Sequence, residues 1–160
     1  MASYRDDAKY INERRTRKTH IDPTLEKVGW RWEYVKEEVN SVRSDFKNSN
    51  LIYFDDDPQK GERFIDYLLL DQDHSPLAII EAKRFSKNPE NGRIQARTYS
   101  KDIESQIGLK IPIFLTNGHK WLYIDHDGVE RKVSGPFSQD NLKRKKDLYR
   151  RRKDPKENFA

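Results

Sequence analysis

Cysteine is absent from the 160-residue chain. That excludes disulfides, cysteine-ligated zinc, iron–sulfur clusters and thiol catalysis, and it fits a reducing compartment. Long apolar runs are missing as well. None approaches the roughly 18 residues of a membrane-spanning helix and nothing resembles an apolar signal sequence, so a soluble, cytoplasmic protein without a membrane partner is expected. There is no repeat at solenoid spacing, no Gly/Ser linker and no Gly-x-x-x-x-Gly-Lys-Ser/Thr phosphate loop, which excludes a P-loop motor within these residues. The four histidines, His20, His74, His119 and His126, lack metal-ligand spacing and read as surface residues.

Charge, by contrast, is plentiful: 37% of residues are charged against 34% apolar, and the net charge is +5. Residues 143–153 (KRKKDLYRRRK) carry eight basic groups and one acidic, so this segment alone holds +7 and the rest of the chain −2. A basic segment supplies sequence-independent attraction to phosphates without proving nucleic-acid binding. The expected organisation is one domain over residues 1–142, followed by a basic segment, 143–160, that is either a tail or the start of a linker to a further domain.

Periodicity gives the coarse fold. Residues 12–28 read as a helix, with Ile21, Leu25 and Val28 at helical spacing, Gly29 as its stop and Pro23 as a kink. Residues 30–40 suggest a strand, and 41–57 are too mixed to assign. Residues 63–70 and 77–83 are apolar runs joined by Asp71-Gln72-Asp73-His74-Ser75-Pro76, the pattern of a hairpin. A helix follows over 93–107, with Ile94, Tyr99, Ile103 and Ile107 expected on one face. Strands over 111–116 and 120–126 flank the Asn117-Gly118 turn signal. Ser138 suits the N-cap of a last helix running into the basic segment. The order α-β-ββ-α-ββ-α predicts an α/β fold, a mixed sheet flanked by helices. Trp30, Trp32 and Trp121 are expected in or near the core, and Tyr149 in a helix-packing contact.

Three charges disturb the apolar hairpin. In a strand, Leu77, Ile79, Glu81 and Lys83 point one way and Ala78, Ile80 and Ala82 the other. Asp66 sits within Phe64-Ile65-Asp66-Tyr67-Leu68, where an unpaired carboxylate is costly to bury. One reading is a salt-bridge cluster at a sheet edge. The other is a hydrated divalent metal held between the hard oxygens of Asp66 and Glu81. Lys83, roughly 6.6 Å beyond Glu81 along the same face, would then act on a bound water and on phosphate.

The residues also carry a resemblance. Asp66 followed by Glu81-Ala82-Lys83 resembles the PD-(D/E)XK nuclease motif. The surrounding blocks resemble the N-terminal nuclease domain of type I restriction enzyme R subunits. These blocks are Glu13-x-x-Thr16-Arg17, Ile21-Asp22-Pro23-Thr24-Leu25 running to Gly29-Trp30, Gly61-x-Arg63, Ile80-Glu81-Ala82-Lys83-Arg84, Gln95-x-x-x-Tyr99 and Thr116-Asn117-Gly118. Each is weak alone, but together they span residues 11–125. Ile65 stands where the motif name has proline, at a position without chemistry.

The resemblance implies a restriction-endonuclease-like sheet and hydrolysis of double-stranded DNA with Mg2+, for which Mn2+ can substitute. It implies catalytic roles for Asp66, Glu81 and Lys83, with Asp66 and Glu81 holding the metal. Gln95 and Tyr99 would position the lysine or the DNA backbone. Arg63 and Arg84 contact phosphate in one reading and are solvated charges in the other. Glu13 either reaches the site or serves as an N-terminal helix charge. Partners implied are the specificity and methylation subunits of a restriction complex, with ATP used only by a motor domain not encoded here; a piece of a longer R subunit is therefore expected. A stand-alone nuclease of repair or defence, and a non-catalytic DNA-binding or assembly module, are the alternatives.

Overall fold

In a computed structural model, which describes residues 13–84 and 87–154, six strands cross a single sheet in chain order. They are β1 (Val35–Asn40), β2 (Phe64–Leu70), β3 (Pro76–Ala82), β4 (Ile113–Thr116), β5 (Trp121–Ile124) and β6 (Glu130–Val133). Neighbours are antiparallel except β3 and β4, which run parallel. A parallel pair needs a long crossover, and α2 (Arg93–Ile107) provides it. The other helices are α1 (Asp22–Val28) and α3 (Gln139–Lys153).

Side-chain alternation splits the core in two. Tyr67, Leu69, Ala78, Ile80, Ala82 and Phe114 pack with Ile21 and Leu25 near α1 and with Leu142 of α3. Ile65, Leu68, Ile79 and Leu115 pack with Ala96, Tyr99 and Ile103 of α2. Helices therefore cover both sheet faces, the expected α/β architecture with a mixed sheet. Leu77, which clusters with Ala78 and Ile80 next to a register shift at Leu69/Leu70, and Ile65, which clusters with Leu68 and not with Tyr67, depart from strict alternation.

The hairpin, the helix over 93–107 and the two strands about Asn117-Gly118 form where expected. Asn12 lies outside the described residues. From residue 13 the first helix is α-helical, turns π-helical over Arg17–Ile21 and becomes α1, with Pro23, which has no N–H to give to the turn before it, directly after the π-helical turn. Gly29 closes it in the left-handed region, φ +104°, donating to Glu26 and Leu25 carbonyls. Ser138 caps α3 by accepting from the Asn141 N–H at 3.2 Å, a contact worth about 1 kcal/mol. α3 runs through residue 143 without a break, and Lys146 and Tyr149 are buried. Lys146 Nζ donates to Ser75 Oγ at 2.9 Å.

Four expectations need correction. Ile94 is 83% exposed, because nine residues separate it from Ile103 and at 100° each that is half a turn, on the opposite face. Trp32 is 41% exposed: it begins a 3-10 turn, Trp32–Tyr34, that shortens the first strand, and its indole donates to Glu26 at the surface. His126 is buried, stacked on Tyr149 at 4.7 Å. β6 was not expected, since Glu-Arg-Lys-Val has no apolar alternation. It forms the charged outer edge of the sheet, where such residues discourage further pairing. Among the described residues no helix is long and apolar enough to cross a membrane.

Candidate active site

The strand register puts the expected carboxylates side by side. Tyr67 pairs with Ile80 and Leu68 with Ile79, so the next step sets Asp66 opposite Glu81. On the other flank Glu37 pairs with Tyr67 and Val39 with Ile65, which sets Glu38 opposite Asp66. Three acidic residues thus stand in one row across β1, β2 and β3. Directly opposed like charges repel, so this row needs cations nearby.

Two cations of the chain meet it. Lys83, one residue beyond β3, continues the strand by donating its N–H to the Thr116 carbonyl at 2.8 Å. Its Nζ lies 3.9 Å from Glu81 Oε1 and 4.0 Å from Glu13 Oε1. The second cation is Arg17, on the π-helical turn, whose guanidinium lies 3.0 Å from Glu38 Oε1 and 3.5 Å from Asp66 Oδ1. Asp66 Oδ2 accepts the backbone N–H of Ala82 at 2.8 Å.

Glu81 is left worse off. It is 4% exposed, and its Oε2 is buried without a hydrogen-bond partner among the described residues. Burial, and then the charge of Asp66, raise its pKa well above the ordinary 4.5; Lys83 opposes the shift and Glu13 adds to it. Gly92, at the N-cap of α2, leans on this carboxylate: a Cβ there would come within 2.7 Å of Glu81 Cγ and 3.3 Å of Lys83 Cε. Only glycine permits that approach without displacing Glu81.

Among the described residues no group of three or more His, Cys, Asp or Glu side chains is arranged to hold a metal ion. Glu38 is turned to Arg17. Asp66 and Glu81 remain as a pair, and their chemistry suits Mg2+, which binds through one or two carboxylates and keeps several waters. The partnerless Glu81 Oε2 and its raised proton affinity are compatible with a cation at this pair.

The other expected residues scatter. Glu13 reaches the site through Lys83. Arg84 is half-buried just after Lys83. Gln95 is exposed, while Tyr99 is buried in the α2 core with its hydroxyl donating to the Glu62 carbonyl at 3.2 Å. Arg63 is turned to Asp102 on α2 at 3.5 Å. Sequence reasoning overlooked Arg17, Glu38 and Gly92 as site residues. Only Arg17 had a signal, its place four residues after Glu13 on one helical face.

No protein-family model and no curated protein matches the chain. Among solved structures it is similar to a fragment assigned as an HsdR subunit of a type I restriction enzyme from Vibrio vulnificus YJ016, with 28% identity and a TM-score of 0.60. The likeness covers 83% of this chain and 25% of that one, so the chain spans about a quarter of its relative's length.

Proposed function

We propose that this chain is the Mg2+-dependent endonuclease domain of a type I restriction enzyme R subunit, hydrolysing phosphodiester bonds of double-stranded DNA. The observation that carries the reading is the meeting of Asp66, Glu81 and Lys83 around a buried, partnerless carboxylate oxygen. The likeness to an HsdR fragment supports the restriction context.

Asp66 and Glu81 would hold the metal, and Gly92 leaves Glu81 the room to do so. When bound, Mg2+ supplies Lewis acidity to the phosphate and acidifies a water. Lys83 offers a cation that orients the attacking water and offsets charge on the phosphate. Glu13 steadies that lysine from the first helix. Arg144, Arg150 and Arg151, exposed on α3, add a sequence-independent attraction for the duplex. Choice of the cutting site falls to specificity and methylation subunits, and ATP to a motor domain, in a cytoplasmic complex.

The test is cleavage of supercoiled plasmid in Mg2+ or Mn2+, with Asp66→Ala and Glu81→Ala as controls, first with the chain alone and then with the chain joined to its motor and partner subunits. Metal-dependent nicking lost in both variants supports the reading. DNA binding with no cleavage in any of these assemblies would reduce the protein to a non-catalytic DNA-binding module.

A further inference from the structure

Two irregularities of the backbone and one strand register converge on one guanidinium. The first helix is π-helical over Arg17–Ile21, and such turns are rare and concentrate at functional sites. Glu38 holds a left-handed φ of +55° in the middle of β1, a conformation unusual for a residue with a side chain. The register sets that same Glu38 opposite Asp66. At the meeting point lies Arg17, 3% exposed, with Nη2 3.0 Å from Glu38 Oε1 and Nη1 3.5 Å from Asp66 Oδ1.

The arrangement is more than packing requires. An isolated ion pair needs one carboxylate, and here a planar fork spans two, one on each of two strands. Asp66 is also engaged on its second oxygen, by the Ala82 N–H at 2.8 Å. One of the two carboxylates available to a metal is therefore already facing a positive charge. Among the described residues Glu81 has no such arginine and keeps a partnerless oxygen.

We infer that Arg17 is a positioning residue that sets metal affinity: it faces Asp66 as a built-in counter-cation, and its anchor on Glu38 keeps it from claiming Asp66 fully. This rests on the metal-site reading above. A divalent ion must share Asp66 with the guanidinium, so the site takes metal weakly by itself and more readily when a phosphate oxygen adds negative charge. Glu38 acts only through Arg17, by holding part of its charge.

The two substitutions have opposite signs. Arg17→Gln removes the competing charge and should tighten Mn2+ binding about tenfold or more in a DNA-free calorimetric titration. Glu38→Gln frees the guanidinium to lean on Asp66 and should weaken binding. In the Arg17→Gln background the Glu38→Gln effect should largely vanish. A merely structural pair would move both single variants in the same direction, through loss of the fold, which a thermal melt on each variant detects. Unchanged or weaker binding by folded Arg17→Gln overturns the inference. Where that variant does not fold, Glu38→Gln decides: weaker binding upholds the inference and unchanged or tighter binding overturns it. Asp66→Ala separates the two readings. If it binds Mn2+ as wild type does, the metal site itself fails; if it does not, a failed Arg17 arm counts against Arg17 alone.

Discussion

Two buried carboxylates of this protein meet opposite fates. Asp57 is 1% exposed and saturated: it accepts from Asn40 Nδ2 at 3.0 Å, from Arg43 through Nε at 3.1 Å and through Nη2, and from the Gln59 N–H at 2.9 Å. Desolvation alone would raise its pKa, but the hydrogen bonds from Arg43 and Gln59 outweigh it and hold the group below 3.8. Glu81 is about as deeply buried, yet among the described residues one of its oxygens has no partner, and its pKa is pushed up. Stability and function part here: the satisfied carboxylate ties loop to strand, whereas the unsatisfied one has to be accounted for by protonation, water or an ion, and on the proposed function that ion is the metal.

The comparison can be broken first at the chemistry. Lys83→Ala should lower DNA cleavage about a thousandfold or more, since it removes the cation that faces Glu81. Single-turnover cleavage measures it, and a loss under about tenfold would move the reaction away from this lysine. Next comes Asp57→Ala, which orphans Asn40 and Arg43. It should cost about 2–4 kcal/mol in urea unfolding, below the full price of a buried pair because Arg43 is partly exposed and can rehydrate. Mn2+ affinity should not change.

A glycine in each region sharpens the contrast at smaller scale. Gly92→Ala collides with Glu81 Cγ and should destabilise by about 1–3 kcal/mol while also depressing cleavage. At Gly61, near Arg43, a Cβ would meet its first neighbour at 3.9 Å, so Gly61→Ala should stay within about 0.5 kcal/mol. Equal effects at the two positions would deny the crowding at Glu81.

The smallest effect is on pH, and it has opposite signs. Glu81 holds its proton more tightly folded than unfolded, so without metal its contribution to stability is present below about pH 4.5 and lost as pH rises through the folded pKa. Asp57 holds its proton less tightly folded. Its contribution is present above about pH 3.8 and lost as pH falls through the folded value. Denaturation of Glu81→Gln and Asp57→Asn against pH should flatten the stability curve on opposite sides. Two curves shifted alike would show that the carboxylates do not differ.

What the sequence made legible follows from how local each signal is. The helix Arg93–Ile107, the hairpin and the Asn117-Gly118 turn rest on periodicity and turn residues within a few positions. Asp66, Glu81 and Lys83 stood out as charges in apolar strands; alternation puts Glu81 and Lys83 on one face, and the hairpin register brings Asp66 beside Glu81. Arg17 and Glu38 did not stand out. Their meeting depends on a π-helical turn and a left-handed residue that no propensity foretells, and on a register set by tertiary packing. Gly92 was invisible for the same reason, because its need is the approach of Glu81 from another element. Gln95 and Tyr99 are four apart as read, but one is exposed and the other buried.

The claim at the centre is that Asp66 and Glu81 together hold a divalent metal. Calorimetric titration of Mn2+ into the wild-type chain and into Asp66→Ala tests it most directly. The account predicts saturable binding by the wild type that the variant loses, with its melting temperature showing that it is still folded. Equal binding by both proteins would contradict it.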